Sequence, residues 1–305
     1  MTRLLDDGHF FLPGPTEVRP EVLAAMTRPM IPHRGPAFER LFAAAQAGLQ
    51  RVFRTTRPVL VSTSSATGLM EASIRCAPPG PVLALVNGAF SERFAEVAAA
   101  CGRQVEVLAV EWGGVAPLEE VERRLRAGRF AAVALAHSET STGALTDAHA
   151  VQQLARRHGA CCLVDSVTGI AGAPFETDAW EIDFVFTGSQ KALALPPGLA
   201  FGVASPAFLA HAARAEGRGR YFDLVEFERF AERAQTPNTP ALSLLYTLEV
   251  QCAALAEEGI EARWRRHEAM RRRVEEWVAS VVARGMHAGI LAPEGARSPT
   301  VTAVT

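Results

Sequence analysis

From residue 58 to residue 204 the chain alternates short runs that are apolar throughout with longer runs of mixed polarity, and few folds accept such a rhythm. The runs 59–61, 82–86, 105–110, 131–136, 160–164, 182–186 and 199–204 read as strands, and 65–75, 91–100, 118–126 and 147–158 read as helices between them. A strand that is apolar on both sides needs cover on both sides. The expected fold class is therefore α/β, a mostly parallel sheet sandwiched by helices.

The flanks differ. Residues 1–19 read as an extended arm broken by Pro13, Gly14 and Pro15, and helices are expected at 20–27 and 36–54, the first opening on proline. Past Ser205 the rhythm stops: 205–216 reads as helix, 217–238 as an irregular charged connector, and 240–284 as helical with a break at Glu258 and Gly259. Strand-like runs at 286–291 and 300–304 follow, the last an alternation of Thr and Val with nothing to cover it. That run predicts a sheet left incomplete, the sequence being a fragment that lacks the end of its small domain. The expected division is an arm over 1–19, a large domain over 20–255 and part of a smaller, incomplete C-terminal α/β domain over 256–305, a size that 305 residues can fill.

Among 31 Lys and Arg residues, Lys191 is the sole lysine. Arginine serves wherever a cation need only be solvated or paired, because a guanidinium does not deprotonate at working pH. A primary amine does, and the chemistry reserved to it is attack on a carbonyl to form a Schiff base. Composition alone leaves a solvated surface lysine equally open. The surroundings favour the first reading: 182–186 reads as a buried strand, Gly188 and Ser189 close it, and Leu195-Pro196-Pro197-Gly198 stiffens the chain's return. Lys191 is thus expected just beyond a strand end, where ligands bind in open α/β sheets.

Asp165 ends the run 160–164. Taken alone it is as well explained as a helix cap or loop acid. Beside Lys191 it would hold a cofactor cation while the amine bonds the cofactor's carbonyl, and pyridoxal phosphate carries both groups. Such a cofactor also needs an anion site. Residues 62–68 lie between a strand and a helix, with Ser65, Ala66 and Thr67 at the helix start, where N–H groups and dipole favour phosphate; the same run would also serve as an ordinary N-cap. No GxGxxG or P-loop spacing occurs, so a dinucleotide or ATP site has no support. Residues 137–143 gather polar groups at another strand end, or simply turn into the next helix. Phe90, after Asn87-Gly88-Ala89, is a stacking ring if it faces the crevice and core if it does not.

A net charge of −2 leaves no basic excess for nucleic acid. No run reaches the ~18 apolar residues of a membrane span, and the N-terminus has no secretory pattern. Five cysteines with neither CxxC pair nor metal spacing predict no disulfide framework and no metal site, with a reducing, cytoplasmic setting as the default.

The segments LPGPTEV, SSATGLMEA, NGAFSERF, HSETSTG, VDSVTGIAG, GSQKALALPPG and QTPNTPA, met in order from about residue 12 to the C-terminus, resemble class V aminotransferases of the alanine-glyoxylate and serine-pyruvate type. The resemblance implies a fold-type I pyridoxal 5'-phosphate enzyme that works as a homodimer with sites near the dimer interface. By position, Lys191 would form the Schiff base and, once released, shuttle the proton between substrate Cα and cofactor. Asp165 would keep the pyridinium nitrogen protonated. Phe90 would stack on the ring, where relatives often place Trp, with Val167 on the opposite face and Thr140 near the phenolic oxygen. Ser65, Ala66, Thr67 and Gln190 would cradle the phosphate, and Thr239 would reach the phosphate of the other subunit. Gly14 and Pro15 would border the substrate. The family's arginine that clamps the substrate carboxylate falls beyond residue 305, so no residue is given that role.

The function implied is transfer of an amino group from a small amino acid, alanine or serine, to an oxo acid, glyoxylate or pyruvate. One rival is a lyase or desulfurase on the same fold, although Phe90 takes the stacking place and Cys252 falls inside a helical pattern. The other is a truncated cofactor-binding relative without activity.

Overall fold

The computed structural model of the protein describes residues 11–305; the first part of the expected arm, residues 1–10, lies outside the described residues. Helix α1 (Pro20–Ala24) runs into a 3-10 turn, and α2 (Pro36–Phe53) follows. Both open on proline, whose missing N–H costs nothing in a first turn. The alternation then unfolds as β1 (Leu60–Ser62), α3 (Ala66–Cys76), β2 (Val82–Val86), α4 (Ala89–Ala100), β3 (Val105–Ala109), α5 (Leu118–Ala127) and β4 (Ala132–Ala136). A small hairpin, β5 (Ser138–Glu139) and β6 (Ala144–Leu145), precedes α6 (Ala148–Arg157), β7 (Cys161–Asp165), β8 (Phe184–Gly188) and β9 (Ala200–Ala204).

Seven strands form one sheet in the order β1-β9-β8-β7-β4-β2-β3. Pairing is parallel from β8 across to β3, while β9 is antiparallel to both β8 and β1. The turn over 189–199 explains the exception, since it is too short for the crossover helix a parallel return requires. Chain order reverses between β2 and β4: β3 lies on one side, and β7 and β8 lie on the other. A crevice therefore opens at the carboxyl ends of β2 and β4.

The sheet sorts its side chains by the strand's period of two. Val133, Val164, Val185 and Phe201 join Phe38, Phe42, Leu49 and Phe53 in one buried cluster. Ala134, Leu163, Phe184 and Phe186 join Leu69, Ile74, Phe94 and Phe208 in the other. Both faces are covered, as continuous apolar strands require.

Beyond the sheet lie α7 (Pro206–Ala212), α8 (Leu224–Ala231), α9 (Leu242–Glu258) and α10 (Ile260–Ala283). Four expectations need correction. The helix expected over 205–216 stops at Ala212. The connector 217–238 contains α8, started by Asp223, whose carboxylate accepts the Val225 N–H, and anchored by buried Leu224 and Phe227. The strands expected at 286–291 and 300–304 shrink to a single bridge, Ile290 to Val304, flanked by reciprocal bonds between Gly289 and Thr305 of 2.8 and 2.9 Å. The last run, expected to have nothing to cover it, is bonded there to residues 289–291. The break at Gly259 holds, with φ of 78° that glycine tolerates. No helix among the described residues is long and apolar enough to cross a membrane.

Candidate active site

Lys191 lies in the turn leaving β8 and is 9% exposed. The turn is held by its own backbone: the Leu195 N–H donates to Ser189 O at 3.1 Å and the Ala194 N–H to Lys191 O at 2.8 Å. Ser189 Oγ donates to Pro196 O at 2.8 Å and accepts the Leu199 N–H at 3.2 Å. The arm closes over it, the Thr16 N–H donating to Gln190 O at 3.0 Å and Thr16 Oγ1 to Lys191 O at 3.2 Å. Burial lowers the Lys191 amine below the usual lysine range, against the pull of the Asp165 carboxylate. A lowered amine is the condition for nucleophilic use.

Gly14 explains how closely the arm approaches. Its φ is +150°, and a Cβ there would come within 2.6 Å of Lys191 Cδ and 2.8 Å of Gln190 O. Gly14→Ala should push the amine or the arm aside and lower turnover by about 10–100-fold with the fold retained, a misplacement of order 1 Å being enough. Circular dichroism and steady-state rates on the same sample check it.

Asp165 ends β7, between Ala136 of β4 and Phe186 of β8. It is 4% exposed, and its Oδ1 accepts the Val167 N–H at 2.9 Å. Burial pushes the carboxyl up to about 7, helped by Glu139 and opposed by that N–H and by the charges of Lys191 and Arg93. A carboxyl in this condition is poised to accept a cationic N–H.

Phe90 rides on the first turn of α4. Lys191 Nζ lies 6.0 Å from its ring centroid, and the Arg93 guanidinium lies 4.9 Å from the same centroid. Gly88, the residue before α4, offers no side-chain cap. Glu139, fully buried after β4, supplies it from across the crevice: its carboxylate accepts the N–H groups of Phe90 at 3.3 Å and Ser91 at 2.9 Å, and the Ser91 hydroxyl at 2.9 Å. Ser141 Oγ takes the Ala89 N–H at 3.0 Å. Glu139 carries no expectation from the sequence, its only local signal being an acid among hydroxyls at a strand end. Glu139→Ala should leave several buried donors unpaired and cost about 3 kcal/mol, measurable as a fall in denaturant midpoint.

Thr140 is buried and donates to Thr168 Oγ1 at 3.3 Å, which in turn donates to Ser138 O at 2.8 Å. His137 is a wall residue: its Nδ1 lies 2.9 Å from Ser166 Oγ and its ring packs on Phe175, with burial driving it down to about 4. Val167 is half-buried, its carbonyl accepting from Thr187 Oγ1 at 3.0 Å. Ser65 stands at the N-cap of α3 but makes no side-chain cap, which removes the ordinary use of that Ser/Thr run. Ser65 and Thr67 are exposed there and Ala66 is buried. A Cβ placed on Gly188 would lie 3.2 Å from Gln190 Oε1 and 3.5 Å from Ala66 Cβ, so the carboxamide and the start of α3 face one point.

The structure thus gathers Lys191, Asp165, Phe90, Gln190, Ala66 and Gly14 around one crevice. Thr239 stands apart, exposed in a surface depression shared with Thr63, Tyr221 and Asn238. Two clefts lie elsewhere, one of about 830 Å³ between α2 and the α9–α10 junction and one of about 790 Å³ beside the end of α3. Neither places an amine against an aromatic ring and a buried acid.

A buried lysine with a lowered amine thus stands at the carboxyl edge of a doubly covered α/β sheet, beside an aromatic ring and a buried carboxyl. The family model for aminotransferase class V matches residues 13–298, and the chain belongs to that family. It is 37% identical to an aminotransferase of Methanocaldococcus jannaschii over 95% of this chain and 76% of that protein. It is 34% identical to a serine–glyoxylate aminotransferase of Methylorubrum extorquens over 96% of this chain and 79% of that one. The crystal structure of an alanine–glyoxylate aminotransferase from Nostoc sp. superposes with a TM-score of 0.89 at 31% identity, covering 100% of this chain and 81% of that chain.

Proposed function

We propose that the protein is a pyridoxal phosphate-dependent transaminase that moves the amino group of a small amino acid, alanine or serine, to glyoxylate or pyruvate. The observation that carries this reading is the sole lysine of the chain, buried, its amine lowered and held against Phe90 with the Asp165 carboxyl close enough to pull on it. The residues fit the cofactor: a nucleophilic amine for its aldehyde, a buried carboxyl that bonds no cation among the described residues for its ring nitrogen, and an uncapped helix start for its phosphate. Pyridoxal phosphate, when bound, supplies an aldehyde and a ring that accepts electrons.

Lys191 would hold the aldehyde carbon, and its free amine would be the base for a proton at the substrate Cα. Asp165 would hold the protonated ring nitrogen. Phe90 and Val167 would flank the ring and exclude water. Thr140 would serve the phenolic oxygen. Ser65, Ala66, Thr67 and Gln190 would hold the phosphate through N–H groups, hydroxyls and one carboxamide. Gly14 and Pro15 roof the substrate, and the closeness of Gly14 to the Lys191 stem favours a small donor.

The same reading includes a homodimer in which Thr239 reaches the partner's phosphate. Support comes from the exposure of Thr239 and from the exposed Leu12, Met26 and Met30 near the arm. It also divides the chain into a cofactor-holding unit over 20–255 and part of a smaller unit over 256–305. A desulfurase is disfavoured because Cys252 is buried in α9 against Gly48, its thiol pushed up to about 12. Incubation with alanine and glyoxylate should yield equimolar pyruvate and glycine; release of ammonia without an acceptor would favour a lyase.

A further inference from the structure

Arg263, on the first turns of α10, is 9% exposed, and each of its three guanidinium nitrogens donates a hydrogen bond. Nε donates to Ala171 O at 2.9 Å, Nη2 to Ala192 O at 2.6 Å and Nη1 to Glu258 Oε2 at 2.9 Å. Glu258 is steadied in turn by Arg266 at 2.6 Å. The two carbonyls belong to different turns. Ala171, at φ of 74°, lies in the turn that leaves β7 after Asp165, and Ala192 follows Lys191 in the turn that leaves β8. These turns touch, since a Cβ on Gly172 would come within 3.1 Å of Ala192 Cβ. A fixed fork of N–H groups can hold two carbonyls at a set spacing, and a lysine ammonium cannot. Gln251 adds a weaker anchor, donating to Leu193 O at 2.8 Å.

We propose that Arg263 is a positioning residue that sets the separation between the Lys191 amine and the Asp165 carboxyl by bridging the two turns that carry them. Its catalytic consequence rests on the reading of those two residues as the cofactor's amine and acid partners; its structural half does not. Nothing else among the described residues bonds both turns through one side chain.

The test uses the full chain as Arg263→Lys and Arg263→Gln, with Arg271→Gln as a control that breaks ion pairs to Glu268 and Glu275 on the same helix. In the cofactor-free protein, amide hydrogen exchange over 166–172 and 189–193 should rise together by about tenfold or more in both Arg263 variants and stay unchanged in the control. After addition of pyridoxal phosphate, the pH midpoint of the near-visible absorbance should shift by about one unit. The kcat for alanine with glyoxylate should fall about 10–100-fold with KM altered less than about threefold, as expected for misplacement. Exchange that rises in α10 alone, or a midpoint matching the parent in both Arg263 variants, overturns the proposal. So does a midpoint shift shared by the control. A parent protein that takes up no cofactor sinks the functional reading instead, and the exchange result still decides the bridge.

Discussion

Lys191→Ala should lower turnover of alanine with glyoxylate by at least about 10⁴-fold, because one side chain supplies both the covalent partner and the proton carrier. Lys191→Arg should be equally inactive. It keeps a cation in the same place but cannot shed its proton, so it separates a role in charge from a role in bonding. The readout is unusually clean. With a single lysine in the chain, borohydride reduction after cofactor addition should fix one adduct in a tryptic map, at residue 191, and none in either variant. An adduct that persists in Lys191→Ala, or turnover within tenfold of the parent, removes the basis of the proposed chemistry.

Asp165→Asn should move stability and activity in opposite directions. Burial holds this carboxyl at about 7 against an ordinary 3.8, so in the cofactor-free protein the folded state binds the proton more tightly than the unfolded chain does. The Asp165 contribution to stability then falls as pH rises from about 4 through 7 and is fully lost above that window, opposite in sign to that of His137, which burial drives down to about 4. The difference of the two values corresponds to about 4 kcal/mol as an upper bound. Asparagine cannot ionise. The cofactor-free variant should therefore be more stable than the parent at pH 8 by about 2–4 kcal/mol, and its stability should rise more steeply with pH between 4 and 7 than the parent's does. Turnover should fall about 10²–10³-fold, the usual cost of removing one preorganised electrostatic partner. Thermal melts across pH, paired with rates, measure both; a variant less stable than the parent at pH 8 contradicts the account.

What the sequence disclosed and what it hid divide along a physical line. The rhythm of β2 to β4 and of β7 and β8 was readable because a parallel strand of the sheet is apolar locally, and Lys191 and Asp165 were readable because each stands at the end of such a run. Glu139 was not, since its work is done on Ser91, 48 residues away, through backbone donors that leave no mark on composition. Helix α8 was hidden under its charges, its burial resting on Leu224 and Phe227 alone. The antiparallel return of β9 depends on a turn too short for a crossover, a length argument that apolar runs do not reveal. Arg263 stands in a stretch crowded with arginines, and only its carbonyl partners distinguish it.

The crevice draws its walls from the ends of β2, β4, β7 and β8, joined side by side only when the whole sheet has zipped. Contacts of such long sequence separation form late in a folding reaction. No early hairpin or isolated half of the chain can present the amine, the acid and the ring together, so a ligand that needs all three, as the proposed cofactor does, should bind only once the sheet is complete. A nascent or heat-damaged molecule would be blind to it, which makes cofactor uptake a stopwatch for completion of the fold.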